Sequence, residues 1–255
     1  MASSRLQIPI LALVLCLCSN AMVSMAASAK DLDFYYLVLM WPGSFCQLKA
    51  SDGCCFPTTG KPGVDFFVAG LLPYSNDGTA LTQCNRSPFR ISLLEDIEEE
   101  LHNYWPSIKC PSSDGRRLWS NTWKTYGVCS GLSVHDYFKK ALDLRNNIDL
   151  LTIFKKNGIV PSGTAYYSLS NALAAIENGI GTRAGIRCAK NAWDESMIYE
   201  IYVCVNRDAT KIVHCPVLPE STCEETTVFG LFNYEMLSNK TNVAANPIRM
   251  RVQNL

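Results

Sequence analysis

Apolar residues along this chain follow two rhythms, and each predicts a different element. "DLDFYYLVLMW", Asp31–Trp41, is aromatic, β-branched and almost continuously apolar, which predicts a buried strand. "DFFVAGLLPYSNDG", Asp65–Gly78, predicts a second strand ending at Pro73 and an Asn76-Asp77-Gly78 turn. A Cys- and Pro-rich loop joins the two. Ile91, Leu94, Ile97, Leu101 and Tyr104 recur at helical spacing and predict one amphipathic helix stopped by Pro106. Further helices are expected from Ser133, as N-cap, to about Arg145, and from Asp149 to Asn157, closed by Gly158. Another is expected from about Leu169 to Asn178, closed by Gly179. "SMIYEIYVCVN" reads as a strand, "RDAT" as a turn and "KIVHC" as the returning strand of a hairpin that carries Cys204 and Cys215. There is no βαβ rhythm, so an α+β fold is expected. Nothing marks a repeat, a linker or a second folded domain, and the residues after Cys223 read as loosely structured.

The first 29 residues read as a secretory signal peptide rather than part of the fold: one cation, Arg5, precedes the apolar run Ile8–Cys18, and Ala27-Ser28-Ala29 supplies a cleavage pattern. A signal anchor is the competing reading. No other run is apolar enough to cross a bilayer. What remains suits a single domain, 30–223, with a C-terminal extension, 224–255. The 23 Lys+Arg balance 23 Asp+Glu, which leaves no basic footprint for nucleic acid.

Cysteine changes the picture more. Cys16 and Cys18 fall in the leader; the other ten are an even number in a chain read as secreted, which favours disulfides over zinc. No C-x-x-C pair occurs and the three His are scattered, so neither a metal nor a cofactor is expected. Sequence spacing alone leaves the pairing open. "GIGTRAG", Gly179–Gly185, has the wrong spacing for a dinucleotide loop and follows a helix. His102, His135 and His214 read as surface or capping residues.

"WPGSFC", "GCCFPTTGKPGVDFFVAGLLPYSNDG", "LWSNTWKTYGVCS", "YFKKALDLRNNIDLL" and "IYVCVN…VHCP" together resemble, in order and spacing, plant S-like members of the ribonuclease T2 family. The resemblance covers the chain to Cys223. It implies a central antiparallel sheet with helices around it, and the pairs Cys46–Cys54, Cys55–Cys110, Cys84–Cys129, Cys188–Cys223 and Cys204–Cys215. It also implies where catalysis would sit. The family's F-x-I-H-G-L-W-P reads "FFVAGLLP" here, so Ala69 stands at the His and Leu72 at the Trp. Its F-W-x-H-E-W-x-K-H-G-x-C reads "LWSNTWKTYGVC". Asn121 stands at the first His, Thr122 at the Glu, Thr125 at the Lys, Tyr126 at the last His and Leu118 at the Phe. In Q-Q-W-P, Leu39 and Met40 replace the two amides, leaving an expected cleft more apolar than RNA favours.

Cleaving RNA through a 2′,3′-cyclic phosphate requires a base for the 2′-OH proton and an acid for the leaving oxygen, work that imidazole suits. Cations must also stabilise the phosphorane oxygens. Each acid–base group contributes about 10²–10⁴-fold. Ala69 and Asn121 cannot move a proton at neutral pH.

The expectation is therefore a non-enzymatic T2 homologue with RNA binding weak or absent, similar to RNase-related vegetative storage proteins; a stress- or light-induced role is equally open. Two alternatives stand beside it: a diverged, weakly active endonuclease that recruits Tyr126, His135 or His214, and a module that binds RNA or carbohydrate. Protein partners and oligomeric state are left open. Asn239-Lys240-Thr241 is a glycosylation sequon; Asn85-Arg86-Ser87 is another, disfavoured by Pro88. Asn246-Pro247-Ile248-Arg249 resembles a vacuolar sorting signal, so delivery is expected through the secretory pathway to the vacuole or outside the cell.

Overall fold

The computed structural model describes residues 31–49 and 53–239. The expected leader, the two residues that complete the Asn239 sequon, and the Asn246–Arg249 motif lie outside them.

Strand β1, Phe34–Met40, sits mid-sheet between β3, Phe67–Tyr74, and β6, Ser196–Asn206, antiparallel to both. Its uniform apolarity follows from this position, because both of its faces are covered. Tyr35, Leu37 and Leu39 enter the main core, while Phe34, Tyr36 and Val38 pack with Tyr202 and Cys204 in a smaller second cluster. β5, Gly185–Lys190, is antiparallel to β6; β7, Thr226–Val228, meets β6 in a parallel bridge and pairs with β4, Tyr166–Ser168, at the sheet's end. A separate parallel pair joins β2, Cys54–Cys55, to β8, Leu237–Ser238.

The helices are α1, Pro42–Cys46; α2, Glu98–Tyr104; α3, Arg116–Thr125; α4, Val134–Ile148; α5, Leu150–Lys156; and α6, Leu169–Ile180. α4 turns Tyr137, Phe138, Ala141, Leu142 and Arg145 inward at three- and four-residue spacing, and Ser133 caps it by accepting from the Asp136 N–H. The Arg145 guanidinium is buried against Asp65 and the Phe66 carbonyl and lies over the Tyr104 ring, so its charge is compensated. Five disulfides join Cys46–Cys54, Cys55–Cys110, Cys84–Cys129, Cys188–Cys223 and Cys204–Cys215.

Several local expectations are corrected. The single helix over 91–104 is two pieces: a 3₁₀ turn, Ile91–Leu94, then α2. Ile97 leaves the helical region, at φ −118° and ψ 5°, so the helix restarts with Glu98, Glu99 and Glu100 in its first turn, where the N-terminal N–H groups favour carboxylates. α6 runs through Gly179 and ends at Gly181, whose φ of 78° is the left-handed cap. Gly179 serves the packing instead: a Cβ there would lie 2.6 Å from Ile153 of α5. The "KIVHC" return is one bridge, Val205 to Ile212, because the Asn206 side chain organises the turn by accepting from the Thr210 and Lys211 N–H groups.

The largest correction concerns residues 224–239, which are part of the fold. They supply β7, β8 and the buried rings of Phe229 and Phe232, and the Trp41 indole donates to the Gly230 carbonyl at 2.7 Å.

Candidate functional site

The positions singled out in the sequence fall on β1, on β3, on α3 and on the turn between α3 and α4. β3 is not regular. Val38 of β1 faces Gly70 while Leu39 faces Val68, so Ala69 is the extra residue of a β-bulge. Bulges re-aim side chains and are common beside functional sites. Here the bulge turns Ala69 to solvent while Val68 and Leu71 stay buried.

α3 is fixed by two tryptophans one turn apart. The Trp119 indole donates to the Trp105 carbonyl at 2.9 Å, and the Trp123 indole to the Ser87 carbonyl at 3.1 Å. At Gly115, the N-cap, φ is 86° and a Cβ would lie 2.8 Å from the Trp119 ring, so both backbone and space call for glycine. Past the C-terminus, Gly127 lies so close to Trp123 that a Cβ would lie 2.2 Å from its ring. Tyr137 of α4 links the two elements: its buried hydroxyl donates to the Leu71 carbonyl at 2.8 Å, and its ring meets Trp123 edge-on at 5.8 Å. Burial pushes its phenol far above the usual range, so it is a fixed donor. Cys84–Cys129 and the bond from the Gln83 N–H to the Thr125 carbonyl tie down the end of α3.

On this frame Asn121 is exposed and Thr125 half-buried. Thr122 is buried and donates back to the Leu118 carbonyl of its own helix at 3.0 Å. Tyr126 follows α3 and lies near Tyr74 at the end of β3. The Tyr74 phenol is raised by burial first and by Tyr126 second, with Arg187 opposing. Leu72 is half-buried in the second cluster, Leu118 packs half-buried on the main core, and Met40 is half-buried. Leu39 is a correction: at 1% exposure it is a core residue and lines no cleft, because its register on β1 turns it toward the main core.

The three histidines are dispersed. His135 sits at the start of α4 between Asp96, 3.0 Å away, and Asp136, and its pKa is raised chiefly by the Asp96 hydrogen bond. His214 is exposed after the 206–211 turn. His102 of α2 lies against Trp119, ring centroids 5.4 Å apart, with Nε2 3.8 Å from the Glu98 carboxylate. Among the described residues no hydrogen bond or ion pair joins any of them to Tyr126. Sequence reasoning missed the grouping of Glu98, His102 and Arg116, in which Arg116 donates to Glu98 at 3.0 Å. The i, i+4 spacing of Glu98 and His102 was the available signal. No cluster of three metal-ligating side chains occurs among the described residues, and no helix among them is long and apolar enough to cross a membrane.

A bulged strand braced against a tryptophan-framed helix, on a disulfide-stapled α+β scaffold, is what this sequence builds. The chain belongs to the ribonuclease T2 family, whose model matches residues 32–215. It is 40% identical over 214 residues to extracellular ribonuclease LE of Solanum lycopersicum, covering 82% of this chain and 92% of that one. It is 32% identical over 185 residues to a ribonuclease-like storage protein of Panax ginseng, covering 71% and 74%. The crystal structure of RNase NT in complex with 5′-AMP superposes with a TM-score of 0.76 at 38% identity, over 79% of this chain and all of that one.

Proposed function

We propose that this chain is a ribonuclease T2 homologue that does not cleave RNA and serves a non-enzymatic role. The observation that carries the reading is what the bulge and helix α3 hold at these positions. At the bulge there is a methyl group, Ala69; on the helix there is an amide, Asn121, followed by a hydroxyl, Thr122, that donates to its own helix. None of these moves a proton near neutral pH. At the positions the family motif assigns to catalysis there is also no cation to meet developing phosphorane charge. Without both acid–base groups, turnover falls by about 10⁴–10⁸-fold, though such losses do not add simply.

Storage is the role favoured by the resemblance to the ginseng protein. RNA affinity is expected to be weak or absent, since the formal net charge is +0. Delivery through the secretory pathway, to the vacuole or outside the cell, accords with the leader and the five disulfides.

The test is RNA cleavage by the purified, disulfide-intact protein from acid to neutral pH. It runs beside a variant carrying Ala69→His, Asn121→His, Thr122→Glu, Thr125→Lys and Tyr126→His. Silence from the natural protein with cutting by the variant is expected. Cleavage by the natural protein above a contaminant control overturns the reading.

A further inference from the structure

On another part of the molecule, α5 and the segment that follows it border a small open pocket of about 260 Å³. Its buried surfaces come from Trp41, Ile159 and Phe232. The Trp41 N–H is already used by the Gly230 carbonyl, so the buried indole backs the pocket floor without offering it a donor. Val64 and Val160 line the pocket while 47% and 41% exposed, so apolar surface extends to the mouth. Two polar side chains break the apolar lining, Thr152 and Lys155, which are three residues apart and share one face of α5. Both are exposed, and among the described residues no carboxylate pairs with Lys155.

We propose that this pocket binds a small apolar carboxylate: an aromatic or branched hydrocarbon body against Val64, Val160 and the accessible edge of Phe232, with the acid accepting from the Lys155 ammonium and the Thr152 hydroxyl. The volume lies just below the roughly 300–1,000 Å³ of ordinary small-molecule sites, which limits the ligand to about one ring and a short acid arm. Mostly apolar walls with a few convergent polar groups are what such sites use for orientation. One ammonium matches one carboxylate; a dianion would bring a second charge with no partner. None of these residues belongs to the β3–α3 positions, so the proposal stands or falls independently of RNA cleavage.

The probe is 3-phenylpropionate, titrated calorimetrically into the disulfide-intact protein at neutral pH, with 3-phenylpropanol and 3-phenylpropylamine as uncharged and cationic counterparts. For so few heavy atoms a Kd on the order of 0.1–1 mM is expected. Lys155→Glu, an exposed change that leaves the core intact, is expected to weaken the acid about tenfold or more and to spare the alcohol. Lys156→Glu, a neighbouring exposed cation that does not line the pocket, is expected to shift it by less than about twofold. The proposal is overturned if the acid fails to bind at about 10 mM, well above that range. It is equally overturned if the amine binds as tightly, or if both Glu variants weaken the acid to the same extent.

Discussion

Removing the Phe229 ring tests whether the segment beyond Cys223 belongs to the fold. Phe229 is fully buried. Its ring centroid lies 4.7 Å from that of Trp41, 5.4 Å from Phe154 and 5.9 Å from Phe66, the last nearly parallel at 18°. These partners come from the end of β1, from α5 and from the start of β3, so the ring closes a gap between three parts of the chain. Phe→Ala in such a site costs about 3–5 kcal/mol, the lost transfer energy plus the cavity left behind. That is a fifth or more of the roughly 5–15 kcal/mol that holds an ordinary domain together. With a urea m-value of about 3 kcal/mol per molar, at the upper end of the usual range, Phe229→Ala should lower the midpoint by at least about 1 M at unchanged m. Leu231→Ala, two residues on and 45% exposed, should move it by no more than about 0.5 kcal/mol. The assay is urea unfolding followed by tryptophan fluorescence with the disulfides intact. If the two variants unfold alike, the segment does not contribute to the core and the reasoning fails.

Other outcomes can be checked with single variants. Gly127→Ala must push the Trp123 ring aside and should cost about 1–3 kcal/mol, read as a lower melting temperature; an unchanged one would mean that the helix α3 frame yields freely. His135 has a folded pKa raised above the ordinary imidazole value, chiefly by the Asp96 hydrogen bond, so its stabilisation is full below the unfolded pKa and is lost as pH rises through the folded one. The gap in unfolding midpoint between the natural protein and His135→Gln should therefore be wider at pH 5 than at pH 8.5, and a constant gap would refute the assignment. Asn239 is exposed and should carry the N-glycan, whereas the Asn85 amide donates to the Val128 carbonyl at 2.6 Å and its oxygen accepts from the Ser87 N–H. In protein from the secretory pathway, Asn239→Gln should abolish the mass shift on glycosidase digestion; loss of the shift in Asn85→Gln instead would reverse this.

The elements most legible in the sequence were those whose side chains satisfy one simple rhythm over many residues. β1 and β6 are long and nearly continuous in apolar character, and α4 combines regular periodicity with a Ser133 cap. The missed pieces obey no local rhythm. β2, β4, β7 and β8 have two or three residues each, too few to show alternation, and they exist because distant chain segments pair with them. α3 carries cations, hydroxyls and one amide on most of its turns and is held in place because Trp119 and Trp123 find carbonyl partners far away in sequence. The disulfide pairing followed from family resemblance, since spacing leaves every alternative open. At the candidate site, motif alignment marked Ala69 and Asn121, but nothing in the residues announced the bulge. Leu39 was misjudged because its inward or outward sense depends on the sheet register.

The vicinal pair Cys54-Cys55 has a consequence for oxidative folding. Successive residues of a strand point to opposite sides, so these two sulfurs reach different targets, Cys46 at the end of α1 and Cys110 before the Trp-framed helix. Exchanging the partners would require β2 to slip by one residue, which would also break its register with Leu237 and Ser238. The final two-residue strand thus fits one of two disulfide isomers of nearly identical loop size, so the chain's last described segment holds in register a pair of bonds made far upstream of it.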